Sequence, residues 1–145
     1  MAILLTLMWA SSAVSQVPPP PVPEDQTAIL ETLKTAYDRK DVPLYESVLR
    51  DDVVVTIDNE VTARSKTEWL SQFGRKLSAD GIIMSVKNAY QSTGRMLTIE
   101  YFNSTESFRT QTRDCCWRYD AVQYSIKENK ISAISILSGG DVSRQ

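Results

Sequence analysis

Apolar side chains recur at helical spacing through much of residues 24–79, then at every second position from residue 82 onward. A period near 3.6 residues marks helices and a period of two marks strands, so the chain has a helical front and a strand-rich back. Helices gathered ahead of a run of hairpin-linked strands bury their stripes against one face of a largely antiparallel sheet. The fold class is therefore α+β.

The first helix is expected over Glu24–Arg39, with Pro23 at its start and Ile29, Leu33, Ala36 and Tyr37 along its apolar face. Asp41 reads as the N-cap of a short second helix reaching Leu49, with Pro43 in its first turn and Leu44, Tyr45 and Val48 on one side. The β-branched run "DDVVVTIDN", 51–59, is a strand. Ser65-Lys66-Thr67-Glu68 is a capping box, opening a third helix striped by Trp69, Leu70, Phe73 and Leu77.

Four strands are expected to follow. Ile82, Met84, Val86 and Tyr90 share a face in 82–92, and Leu97, Ile99 and Tyr101 share one in 96–103. A strand over 114–127 leads through the turn Glu128-Asn129-Lys130 into 131–137, and "SGGDVSRQ" reads as a frayed tail. In 114–127 the apolar stripe moves from Cys115, Trp117 and Tyr119 to Val122, Tyr124 and Ile126, which predicts a β-bulge near Asp120-Ala121.

Residues 1–15 read as a signal peptide, with a short apolar core, Ala13-Val14-Ser15 before the cut, and no length to span a bilayer. Five of the six prolines lie in "VPPPPVP", making 16–23 a solvated linker. The domain is placed at 24–138 and a flexible tail at 139–145. The expected location is secreted, with no membrane span after cleavage. Asn103-Ser104-Thr105 is a candidate glycosylation sequon.

The chain contains no histidine, which excludes Ser-His-Asp and Cys-His nucleophiles and every histidine-bearing metal site. No nucleotide-binding or calcium motif is present, and no cofactor or metal is expected. A net charge of −2 with no long basic run argues against nucleic acid as a partner. Proton transfer would fall to carboxylates, tyrosines or lysines. Glu100 and Asp120 are carboxylates in strand segments; lone strand acids usually face solvent, so that reading is preferred to a cavity site.

The two cysteines, Cys115 and Cys116, are adjacent. Adjacent Cα atoms lie about 3.8 Å apart, short of the bridging range of about 4.4–6.8 Å, so a vicinal disulfide would be strained. Structural thiols are preferred, an intermolecular or vicinal disulfide comes second, and a redox site helped by Arg113 and Arg118 comes third.

The element order, with "AYDRKDVPLYESVLRDDVVVTIDN" and then "ARSKTEWLSQF", resembles the nuclear transport factor 2-like superfamily, in particular its SnoaL-like and ketosteroid-isomerase-like branches. Lys40-Asp41 and Asp51-Asp52 stand where the family carries its helix-end step and its entry to the first strand. The resemblance implies a curved sheet closing a cone over three helices, a pocket inside it, and a homodimer. Transferred without gaps, the isomerase's catalytic aspartate falls on Ile57 and its oxyanion-binding tyrosine on Leu33, both aliphatic. Leu33, Tyr37, Ile57, Trp69 and Tyr101 are the pocket-lining candidates. The expected function is a secreted, non-enzymatic domain that binds a small apolar ligand or associates through its sheet. The alternatives are an isomerase- or lyase-like enzyme using carboxylate and tyrosine groups, and a structural interaction module.

Overall fold

A computed structural model describes residues 24–79, 82–104 and 117–142. Among the described residues three helices, α1 (Glu24–Arg39), α2 (Val42–Ser47) and α3 (Lys66–Ser78), cover one face of a six-stranded sheet. The strands are β1 (Leu49–Ile57), β2 (Glu60–Ala63), β3 (Ile82–Ser92), β4 (Arg95–Ser104), β5 (Trp117–Lys127) and β6 (Lys130–Val142). Their order is β2-β1-β6-β5-β4-β3, antiparallel throughout except for the parallel pair β1–β6. The architecture is the expected α+β.

Local chemistry sets the helix ends. Lys40 adopts φ 54°, and Asp41 N–H reaches back to the Ala36 carbonyl at 2.9 Å, closing α1. The Asp41 carboxylate then accepts from Leu44 N–H at 2.9 Å and opens α2. Ser65 Oγ accepts from Glu68 N–H at 3.2 Å, while Glu68 accepts from Arg64 N–H, one residue upstream of the usual capping-box partner.

Three expectations on element bounds are corrected. The second helix stops at Ser47 because Val48 accepts from Ile131 N–H at 2.8 Å and Leu49 pairs with β6. A four-residue strand, β2, follows the two-residue turn Asp58-Asn59, both residues at positive φ as such a hairpin turn requires. The segment read as a tail is strand through Val142. It continues because β6 stays paired with β5 as far as Trp117 and Val142, and Gly139 lets the strands pass where a Cβ would meet the Tyr119 carbonyl oxygen.

The core lies between the helices and the inner sheet face. Leu33, Ala36, Leu77, Val53, Val55, Met96, Val122, Ile131 and Ile134 are almost wholly buried. An aromatic ladder crosses it: Tyr37 on Tyr45, Tyr45 on Phe73 with centroids 4.7 Å apart, and Phe73 stacked on Trp69 at 5.0 Å. Trp69 Nε1–H donates to Tyr45 Oη at 2.9 Å, so this polar tip is satisfied. Among the described residues no helix is long and apolar enough to cross a membrane.

Strand faces depart from simple alternation in two places. In β3 an extra residue between Val86 and Asn88 reverses parity, so Met84 is buried while Tyr90 is 70 % exposed. Tyr90 therefore does not share the inner face with Met84. In β4 the inner face is Met96, Thr98 and Glu100, and the expected apolar face of Leu97, Ile99 and Tyr101 looks outward. The bulge expected in β5 belongs to β6: β5 pairs with β4 without a break through Asp120-Ala121, and β6 supplies the extra residue between the partners of Arg118 and Asp120.

Candidate functional site

The inner faces of β1, β3, β4, β5 and β6 and the underside of α3 line a half-open cavity of about 440 Å³. Ile57, Trp69, Phe73, Met84, Phe102, Val122 and Ile136 supply its apolar wall, and Gln72, Lys76, Glu100, Arg118, Asp120 and Ser138 its polar groups. That mixture of an apolar wall and few polar groups is what small-molecule sites have in common.

Glu100 is the polar centre. It is 5 % exposed, and three hydroxyl groups donate to its carboxylate: Tyr37 to Oε2 at 3.0 Å, and Tyr124 and Thr98 to Oε1 at 2.5 and 3.1 Å. The two tyrosine hydroxyls are 3.2 Å apart. These donors come from α1, β5 and β4 itself, so the carboxyl is fixed from three directions. Burial raises its proton affinity above the usual carboxylate range, although the Tyr124, Tyr37 and Thr98 hydroxyls and Lys76 pull it down. Burial, then the nearby Glu100 charge, also holds the protons of Tyr37 and Tyr124 well above their ordinary range.

Lys76 enters from the last turn of α3, its Nζ 3.9 Å from the centroid of the Phe102 ring. Burial lowers its pKa and the Arg118 charge adds to that, against the opposing pull of Asp120 and Glu100. The cavity thus holds a carboxyl whose pKa is raised and an amine whose pKa is lowered, displacements that draw the two toward neutrality.

The candidates read from the sequence are distributed unevenly. Ile57 and Trp69 line the cavity. Tyr37 stands behind Glu100 and reaches it through its hydroxyl, and Leu33 is fully enclosed in the core. Tyr101, adjacent to Glu100 on β4, faces the other side of the sheet, where its ring lies 6.3 Å from that of Tyr119. Asp58 sits in the β1–β2 turn with its carboxylate accepting from Ser138 N–H and Oγ–H at 2.8 and 2.7 Å, and is not among the residues that line the cavity. Asn103 lies within β4, paired with Ile83. Cys115 and Cys116 lie outside the described residues.

Glu100 and Asp120, preferred as solvent-facing groups, both line the cavity. Lys76, Phe102 and Tyr124 were not among the candidates. A signal existed for Lys76: Trp69, Phe73 and Lys76 stand at i, i+4 and i+7, one continuous face of α3.

Solved structures give the architecture a name. An NTF2-like protein from Mesorhizobium loti superposes with a TM-score of 0.66 at 9% identity, over 81% of this chain and 93% of that one. The fold is nuclear transport factor 2-like. A provisionally assigned ketosteroid isomerase from Kribbella flavida gives 0.65 at 10% identity, covering 84% and 83% of the two chains. An epoxide hydrolase of the LEH-like type from M. tuberculosis gives 0.58 at 13% identity, covering 80% and 85%. No family model and no curated protein matches the sequence. At such identities an NTF2-like fold carries no residue roles across, so the chemistry rests on the cavity of this chain.

Proposed function

We propose that the cavity binds a small, mainly apolar molecule through one carbonyl or hydroxyl oxygen, and that Glu100 exchanges a proton with it. The observation that carries this reading is a buried carboxyl on the wall of an apolar cavity, backed by two tyrosines whose hydroxyls already donate to it. Among the three functions considered, a carboxylate beside a tyrosine in a continuous cavity favours the isomerase- or lyase-like one over a carrier or a filled interaction module. Proton transfer from such a group contributes roughly 10²–10⁴-fold to a rate. The likeness to an isomerase and an epoxide hydrolase supports an enzyme of this class but not a particular substrate.

The carrier reading keeps one specific support: all three hydroxyl neighbours are already committed to Glu100, as a structural anchor would have them. A panel of apolar ketones separates the two. Binding is followed by Trp69 fluorescence, and exchange of the bound ketone's α-hydrogens into D2O by NMR. Exchange that disappears in Glu100→Gln while binding persists supports the enzyme. Binding without exchange supports the carrier, and absence of both overturns the cavity reading.

Two wider features belong to the same proposal. The segment 1–15 supports export, which N-terminal sequencing of protein recovered from the culture medium tests. Tyr90, Leu97 and Leu137 lie exposed on the outer sheet face and support self-association through it, which sedimentation tests.

A further inference from the structure

Three of the other described lysines are neutralised or hydrogen-bonded. Lys34 meets Glu31 at 2.8 Å, Lys66 meets Asp51 at 2.6 Å, and Lys40 donates to the Ala79 carbonyl at 2.7 Å. Lys76 differs. It lines the cavity, contacts the face of Phe102, and makes no ion pair within 4.0 Å among the described residues. The ionisable groups around it are Asp120, Glu100 and Arg118, all of which line the same space. A strongly hydrated point charge gains little in such a place, whereas a neutral amine keeps a lone pair directed at whatever fills the cavity.

We propose that Lys76 is a nucleophilic amine that condenses reversibly with an aldehyde or ketone held in the cavity to form an imine. The proposal rests on the cavity reading above and adds to it a covalent step and a substrate class, small aromatic or aliphatic carbonyl compounds. The Nζ lone pair forms a bond to the carbonyl carbon, and the C=O π electrons move to oxygen, which takes a proton, while nitrogen loses one. The resulting carbinolamine expels its hydroxyl as water once that oxygen is protonated again, the nitrogen lone pair closes a C=N bond, and the second nitrogen proton leaves to the group that lent the proton. Glu100, whose burial retains its proton to higher pH, is the carboxyl suited to lend and recover that proton. Hydrolysis reverses every step, so no oxidant or reductant is needed. The apolar wall of Trp69, Phe73, Met84 and Phe102 accepts the hydrocarbon part of the carbonyl compound.

The test uses benzaldehyde as the probe and sodium cyanoborohydride to trap the imine as a stable benzylamine. At neutral pH and one equivalent of aldehyde per chain, the benzyl label is expected on Lys76, located by peptide mapping. Lowering an amine's pKa raises its free-base fraction, so Lys76 should be labelled ahead of the exposed lysines. Lys76→Arg keeps a basic side chain able to rest on the Phe102 ring but cannot form the imine, and should abolish the adduct while the protein remains folded. Labelling spread over surface lysines, or persisting unchanged in Lys76→Arg, overturns the proposal. Benzyl alcohol, which fits the same wall but cannot condense, is titrated in parallel by NMR. Alcohol binding without a Lys76 adduct removes the imine and leaves the cavity reading standing. No binding of either probe removes both.

Discussion

The two ends of α3 carry lysines in opposite circumstances. Lys66, the first helical residue, lies on the surface between Asp51 at 2.6 Å and Glu46 at 3.5 Å, and its pKa is raised, chiefly by Asp51. Lys76, in the last turn, lies against Phe102 in the cavity, and its pKa is lowered, chiefly by burial. The helix dipole alone predicts the reverse, since it favours a cation at the C-terminal end by about 0.3–1 kcal/mol. Enclosure therefore outweighs the dipole at Lys76, and a contacting carboxylate outweighs it at Lys66. Within one helix, the surroundings make one lysine a structural cation and the other an amine with accessible chemistry.

Phe73 supports the enclosed end, so its removal should blur the contrast most. Phe73→Ala deletes the ring between Tyr45 and Trp69 and is expected to cost about 3–5 kcal/mol in urea unfolding. Water entering the gap should return the pKa of Lys76 toward its ordinary value, seen as a higher pH midpoint for amine labelling. An unchanged midpoint would show that burial by this ring is not the cause.

Glu100→Gln should sharpen the contrast. A carboxyl whose pKa is raised on folding stabilises fully below its unfolded value, and the contribution is lost as pH climbs through the folded value. Wild-type stability should therefore decline over that window by about 1.4 kcal/mol per unit of displacement. Glu100→Gln should be flat there, its relative advantage growing with pH. Because the Glu100 charge favours protonated Lys76, the substitution should also lower the Lys76 midpoint further.

The smallest effects come from the lysines themselves. Lys76 has its pKa lowered on folding, so its contribution is present above the unfolded value and lost as pH falls through the folded one. Lys76→Met should gain relative to wild type as pH is lowered. Lys66→Met should lose slightly at low ionic strength and match wild type at high salt, as exposed ion pairs do. Salt-sensitive loss at both sites would remove the distinction between the two ends.

The helices were legible because their signals are local. Asp41, Ser65 and Glu68 cap where their side chains reach nearby amides, and Trp69, Phe73 and Leu77 lie buried on one face. The strand faces were less legible because alternation identifies two faces without saying which is inner. The apolar set of β4, Leu97, Ile99 and Tyr101, is the natural choice for the core. The structure places it outside because Thr98 donates to Glu100 and to the Val122 carbonyl, and Glu100 accepts from the hydroxyls of Tyr37 on α1 and Tyr124 on β5. Those partners lie 63 and 24 residues from Glu100 in sequence, beyond the reach of any local pattern. The bulge in β3 has no residue signature either, and it alone turns Tyr90 outward.

The strand order has a consequence for assembly. β1 and β5 are not neighbours; each is hydrogen-bonded to β6, which lies between them. While the chain is being made, α1 through α3 with the β1–β2 hairpin can form as one piece and the β3-β4-β5 meander as another. In the sheet those pieces join only after residues 130–142 have left the ribosome, so the cavity wall shared by Ile57, Glu100 and Ile136 is completed by the last strand to appear.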